Sequence, residues 1–434
     1  MTLVRPLSSR RGKYYVLGVL TIVYGFTYVD RCLMVLFLQP VKNDLRLSDS
    51  QLGFLTGVAF GLFYAALGLP IARWSDRGDR VTISAIAIGL WGMTVTACGL
   101  VGTFSQLVVA RVAAAVGESG GMPPTYSLVG DYFPAPGERT RAMSIYMLGP
   151  SLAALMSFTL GGWVGMHWGW RAGFLLAGPP GLLLAFVLRT TVAEARVLQE
   201  GSGLELAVQP TLNQVLSDLG RRPSTRHLAL AIILLWTMGL GLQPWYAAFL
   251  MRSHGMSLDE LGIWLGLANG IGSLLAMPLG GYWVAREFLG DEAGQFRLTG
   301  LATAALVPAC VLFLLVPGKT QAGLAFVPLT MVFNFLIGPT FAVLQRLVAP
   351  TARATTLAAV LLLANLVGMG LGPQLVGVLS DALAPVAATN SLRYAMLLTS
   401  LLAFWAAYHF YRVGRTVAAD LQAMSVSSEV ATAR

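Results

Sequence analysis

The sequence predicts an all-α membrane protein of twelve transmembrane helices, arranged as two pseudo-symmetric six-helix bundles. Three observations predict it. Of the 434 residues, 56% are hydrophobic and only 11% charged, against about 25% charged in soluble domains. Apolar runs of about 20 residues, enough to cross a bilayer core of about 30 Å, recur from near the N-terminus almost to the end. The most polar interior stretch, 191–226, falls between the sixth and seventh runs and divides the spans equally.

In order, the spans are expected at 14–38, 51–72, 81–102, 104–130, 141–165, 172–189, 227–250, 258–285, 297–316, 321–345, 354–380 and 391–411. Those at 104–130 and 258–285 exceed a perpendicular crossing and require tilt or protrusion. "RPLSSRRGKYY" leads into a full-length first span with no small-residue cleavage site behind a short apolar core, so no cleavable leader is expected. The expected domains are an N-terminal bundle at 1–190, a cytoplasmic linker at 191–226, and a C-terminal bundle with cytoplasmic tail at 227–434. Within the linker, Thr211 and Gln214 after Pro210 form a capping-box pattern that predicts a short amphipathic helix on the inner surface.

The net charge of +9 invites a nucleic-acid reading, but its placement argues for topology. With the N-terminus inside, the inner loops and tails hold 21 Lys and Arg and the outer loops 6. This asymmetry places both termini in the cytoplasm. The expectation is a monomeric, multi-pass protein of a bacterial inner membrane, in contact with membrane lipids and with no nucleic-acid partner.

Cys32, Cys98 and Cys310 lie in three different spans without metal-ligand spacing and read as small apolar fillers. His167, His227, His254 and His409 fall at span ends and read as interface or loop residues. No serine elbow, zinc spacing or phosphate-binding loop appears, so neither catalysis nor a metal or organic cofactor is expected.

The halves echo each other. "LGPSL" (148–152) in span five recurs as "LGPQL" (371–375) in span eleven. A proline kink beside a small residue is common packing chemistry in membrane helices. Matched positions are also what a parallel repeat would produce, with substrate bound between the halves near mid-bilayer.

Four Asp, Glu, Lys or Arg residues lie well inside the spans, all in the first half: Asp30 and Arg31 in span one, Arg111 and Glu118 in span four. Arg111 and Glu118 are two turns apart and share a helix face. Asp30 and Arg31 are adjacent, about 100° apart, so at least one must seek a partner on another helix. Charges at mid-membrane cost several kcal/mol, which makes them functional candidates. Two readings stand. The quartet is a static clasp between spans one and four, or Asp30 and Glu118 exchange protons according to their distance from Arg31 and Arg111, which links protonation to conformation.

The second-half spans carry no such charges. Their polar content is Gln243, Asn269, Asn334 and Asn365, set among Trp236, Trp245, Tyr246, Trp264 and Phe333. With Tyr28 and Tyr146 from the first half, Trp236 and the four amides are cavity-lining candidates. A charged wall facing an apolar, amide-dotted one suits an amphiphile whose head group lies near Arg31 and Arg111. The inner loop "ARWSDRGDR" (72–80) alternates acid and base through Asp76, Arg77 and Arg80, and "DYFPAPGERTR" (131–141) offers partners in Asp131, Glu138 and Arg139. Such clusters are solvated turns or latches that break between states.

"DRGDR" after the second of twelve spans resembles the signature of the major facilitator superfamily. "TYVDR" (27–31), "RVAAAVGES" (111–119) and "PQLVGVLSD" (373–381) resemble its spinster-like branch. The resemblance implies a secondary transporter working by alternating access, with Asp30 and Glu118 as proton-linked acids, Arg31 and Arg111 as head-group partners, and Asp76, Arg77 and Arg80 in a cytoplasmic gate. It implies lysophospholipid-like or sphingosine-1-phosphate-like cargo. Ala72, Ser75 and Ala115 depart from glycines of that pattern, and Ala153 and Ala154 from the glycine pair of the antiporter motif. The readings to separate are proton-coupled transport of a lipid-like amphiphile, proton-driven export of drug-like organic ions, and an uncoupled lipid scramblase or sensor.

Overall fold

Inside hydrocarbon a backbone must satisfy its own hydrogen bonds, and a helix does so within one segment. In the computed structural model, which describes residues 10–194, 217, 219–288, 291–348 and 353–432, every regular element is helical. The expected linker helix at 211–214 lies outside the described residues.

The first nine helices are α1 (Arg10–Phe26), α2 (Val29–Leu45), α3 (Asp49–Thr56), α4 (Val58–Arg77), α5 (Arg80–Cys98), α6 (Phe104–Ser119), α7 (Met122–Tyr132), α8 (Pro136–Tyr146) and α9 (Leu148–Thr191). Next come α10 (Pro223–Leu242), α11 (Trp245–His254) and α12 (Leu258–Gly266), then a π-helical turn (Leu267–Ile271) leading into α13 (Gly272–Glu287). The chain continues through α14 (Glu292–Leu315), α15 (Lys319–Arg346), α16 (Arg353–Ala364), a second π-helical turn (Asn365–Leu371), α17 (Gly372–Ala387), α18 (Ser391–Ser400) and α19 (Leu402–Thr432). Eight continuous stretches among the described residues are long and apolar enough to cross a membrane. Two of them, Gly137–Thr191 and Thr355–Ala423, each carry two of the expected spans. Spans four and ten are supplied by α6 with α7 and by α15.

Several spans are broken at the residues of interest. Span one is interrupted at Thr27 and Tyr28, which puts Asp30 in the first turn of α2. Span four is interrupted at Gly120 and Gly121, which puts Glu118 in the last turn of α6. Gln243 sits at the interruption between α10 and α11, Asn269 lies within the first π-helical turn, and Asn365 opens the second. Irregular backbone of this kind is frequent at functional positions.

The chain packs as two compact units. One comprises Met1–Gly203 with Pro244–Ile271, the other Leu204–Gln243 with Gly272–Arg434. In the first unit α9 packs on α1, α2, α5 and α12, and α11 packs on α2. This unit contains a hairpin and its repeat. α2 ends on Arg46 with left-handed backbone (φ 53) and α3 starts from a capping box between Ser48 and Gln51. α11 ends on Gly255 (φ 61) and α12 starts from a capping box between Ser257 and Glu260. In both turns the side chain of the third helical residue accepts from the N–H of the cap serine, Gln51 from Ser48 and Glu260 from Ser257.

The repeated Leu-Gly-Pro motif also does one job twice. A Cβ on Gly149 would lie 2.5 Å from the Thr21 carbonyl oxygen, and one on Gly372 would lie 2.8 Å from that of Thr237. Each glycine thus lets its span press on the backbone of span one or span seven. A further seam joins spans five and eight, where a Cβ on Gly162 would meet the Leu258 carbonyl oxygen at 2.5 Å.

In the second unit α19 packs on α10 and α14, and α13 on α15. His227 on α10 and His409 on α19 are buried and share a hydrogen bond between their Nδ1 atoms at 2.8 Å. They were expected as interface or loop residues; instead they pin two helices together.

Candidate functional site

The four charges within the first-half spans form two crossed ion pairs. α2 supplies Asp30 and Arg31; α6 supplies Arg111 and Glu118. Arg111 Nη1 donates to Asp30 Oδ2 at 2.6 Å, and Arg31 Nη2 lies 2.5 Å from Glu118 Oε1. The crossing follows from the 100° between Asp30 and Arg31, which sends them to different points on α6.

The two acids differ in environment. Asp30 is fully buried and both its oxygens are satisfied, Oδ2 by Arg111 and Oδ1 by the indole N–H of Trp91 at 3.1 Å. It also stands at the start of α2, where the helix dipole favours negative charge. Glu118 is buried, with no hydrogen-bond partner for Oε2 among the described residues. It stands at the end of α6, where the dipole disfavours negative charge. Asp30 thus has a donor on each oxygen, whereas Glu118 is held by Arg31.

Aromatic rings enclose the cations. Arg31 Cζ lies 4.7 Å from the ring centre of Phe60, 4.7 Å from that of Tyr64 and 5.4 Å from that of Tyr28. Arg111 Cζ lies 4.6 Å from the same Phe60 ring. Such contacts strengthen as water is excluded. The Arg31 side chain keeps 21% of its surface exposed, whereas Arg111 keeps 2%.

Four of the other cavity-lining candidates have local partners. Tyr146 is fully buried, shares a hydrogen bond with Thr125 at 2.7 Å and stacks on Tyr24 at 4.7 Å. Asn269 and Asn334 donate their side-chain N–H groups back to the carbonyls of Leu265 and Thr330 in their own helices. Trp236 packs against Phe333 and Phe341. Gln243 and Asn365 are half-buried at their helix interruptions.

At the inner loop Arg80 is buried. Its guanidinium pairs with Asp131, and its backbone N–H donates to Glu194 Oε2 at 2.6 Å. Arg77, Glu138 and Arg139 are exposed, and the side chain of Asp76 lies outside the described part. On the other side of the membrane Arg252 makes a bidentate pair with the buried Asp49, both bonds 2.7 Å, and donates through Nε to Gln39 Oε1 at 2.6 Å. Lys42 joins Asp49 at 2.5 Å. Sequence reasoning missed Trp91, Phe60, Tyr64, Glu194 and this outer cluster. Only Asp49 carried a signal, an acid one residue after a serine cap.

A family model described as Major Facilitator Superfamily matches residues 20–373. An MFS-type efflux pump of Mycolicibacterium smegmatis is 31% identical over 409 residues, covering 93% of this chain and 94% of the relative. Protein spinster of Drosophila melanogaster is 24% identical over 394 residues, covering 87% of this chain and 64% of the relative. Among solved structures, an inward-facing, unoccupied bacterial homologue of the human lysosomal transporter spinster is similar with a TM-score of 0.83 at 28% identity, covering 95% of this chain and 99% of that one.

Proposed function

The chain belongs to the major facilitator superfamily of membrane transporters, and from that premise we propose that it is a proton-coupled carrier of a lipid-like amphiphile. The observation that carries the coupling is the unpartnered Oε2 of Glu118 beside a single ion pair to Arg31. Ionised, Glu118 clasps Arg31 and ties α2 to α6. Protonated, it no longer competes for the guanidinium, which becomes available to an anionic head group such as that of a lysophospholipid or a sphingosine-1-phosphate-like lipid. Asp30 keeps its two donors, Arg111 and Trp91.

Alternating access then follows if release of Arg31 weakens the α2–α6 tie while cargo binds, letting the carrier pass between inward and outward openings. Proton and cargo act on one guanidinium, so each alters the other's affinity by the same factor. The protein sits, on this reading, in a bacterial inner membrane with both termini cytoplasmic. The likeness to the spinster homologue supports the amphiphile reading.

The efflux-pump relative favours a second reading, export of drug-like organic ions, in which a cationic cargo would bind Glu118 directly. Reconstituted vesicles with an imposed pH gradient separate them. Glu118→Gln is expected to abolish gradient-driven flux of a fluorescent lysophospholipid while leaving thermal unfolding near that of the wild type. Unchanged flux would eliminate the coupling. Flux of ethidium that competes with protons, without lysophospholipid flux, would replace the amphiphile by a cation.

A further inference from the structure

We propose that Phe60 is a positioning residue that keeps the two ion pairs separate, so that a proton arriving at Glu118 frees Arg31 without disturbing Asp30 and Arg111. This rests on the coupling reading above and names the residue that gives it direction.

Phe60 belongs to α4, which supplies none of the four charges. Its ring is nevertheless the shared neighbour of both guanidinia, each Cζ lying within 4.7 Å of its centre. It is almost wholly buried, and Tyr64, one turn further along α4, stacks nearly parallel to it at 5.9 Å and closes on Arg31. A phenyl face attracts a cation, so one ring can hold two groups that repel each other.

The need for such a divider follows from the sequence. Asp30 adjoins Arg31, and Glu118 shares a face with Arg111, so each arginine has a second acid within side-chain reach. Around Glu118 the titratable and charged groups are Arg31, Asp30 and Cys32 from α2, Tyr28 from the interruption before it, Tyr24 from α1, Tyr64 from α4 and Arg111 from its own helix. Two of these are cations, and both lie against Phe60. Without the ring, a freed Arg31 can drift to Asp30 and displace Arg111. The four charges would then titrate as one network instead of as a fixed pair and a switchable pair.

The test is the proton affinity of each acid, read by infrared difference titration of protein carrying isotope-labelled Glu or Asp in lipid vesicles. In the wild type a labelled Glu band should titrate and vanish in Glu118→Gln, while no labelled Asp band should titrate together with it. In Phe60→Leu the Glu118 midpoint should move upward by at least tenfold in proton affinity, because Arg31 now has another acid to join, and the Asp band should enter the titration. Phe60→Tyr should restore the wild-type profile. Trifluorophenylalanine at position 60, which keeps the shape but weakens the negative face, should shift the midpoint in the same direction as leucine and covers the case in which leucine does not fold. A wild-type profile in both the leucine and fluorinated proteins, or a downward shift, overturns the proposal. A titrating band that persists in Glu118→Gln with phenylalanine in place would instead overturn the coupling reading itself.

Discussion

Arg252→Ala tests how firmly the outer cluster is held. Arg252 makes three hydrogen bonds, two of them to Asp49, whose side chain is 3% exposed. Removing one partner of a buried ion pair costs about 3–5 kcal/mol. Lys42 stays 2.5 Å from the same carboxylate, and the Arg252 side chain is itself 17% exposed, so the expected cost is about 2–3 kcal/mol. That corresponds to roughly a 30- to 150-fold change in an equilibrium constant. The assay is a double-mutant cycle of Arg252→Ala with Asp49→Ala, read by thermal unfolding in detergent, together with spin-label distances between α3 and α11. Because α11 continues span seven and α3 opens span two, loss of the cluster should also enrich conformers with a longer α3–α11 distance. A coupling energy below about 0.5 kcal/mol, the range of exposed pairs, with unchanged distances would refute the claim that this cluster locks the two hairpins together.

Asp30→Asn should destabilise rather than merely uncouple, because it leaves Arg111, 2% exposed, without its counter-charge; a loss of about 3–5 kcal/mol is expected and is measured by denaturant or thermal unfolding. Trp91→Phe removes the indole donor to Asp30 and should cost about 1.5–3 kcal/mol, visible as a lower unfolding temperature with Glu118 titration intact. Asp79 caps α5 through the Thr82 N–H, and its replacement by Ala should cost about 1 kcal/mol. Burial pushes the Asp79 carboxyl up, but the Thr82 N–H and hydroxyl and the charge of Arg189 outweigh it and hold the group below its ordinary range. Its contribution is therefore present above the unfolded-state pKa of about 3.9 and is lost as pH falls through the lower folded value. An acid-unfolding midpoint that does not rise in Asp79→Ala would contradict the capping role.

The spans and the charge inventory were legible because hydropathy and charge depth are properties of the residues themselves. What the sequence could not give was pairing. Asp30 and Arg31 point to different places, but which acid meets which arginine depends on the interruption at Thr27 and Tyr28 and on the register of α2 against α6. Phe60 and Trp91 carry no mark that distinguishes them from any aromatic residue in an apolar run. Glu194 lies 114 residues from Arg80 and Asp49 lies 203 from Arg252, distances at which composition has no say. The hairpin repeat was in plain view as Ser48, Gln51, Leu52 and Gly53 against Ser257, Glu260, Leu261 and Gly262. Only the matching left-handed residues, Arg46 and Gly255, make that alignment more than chance.

The seam between Gly162 and Leu258 has a mechanical corollary. Interdigitated side chains act like meshed teeth, and helices joined by them must lift apart before they can shift. Where backbone rests on backbone, at Gly162 and Gly262, there is nothing to unmesh, so at that point spans five and eight meet on a smooth bearing. Leucine at position 162 would put a tooth on that surface and trade easy sliding for a fixed notch.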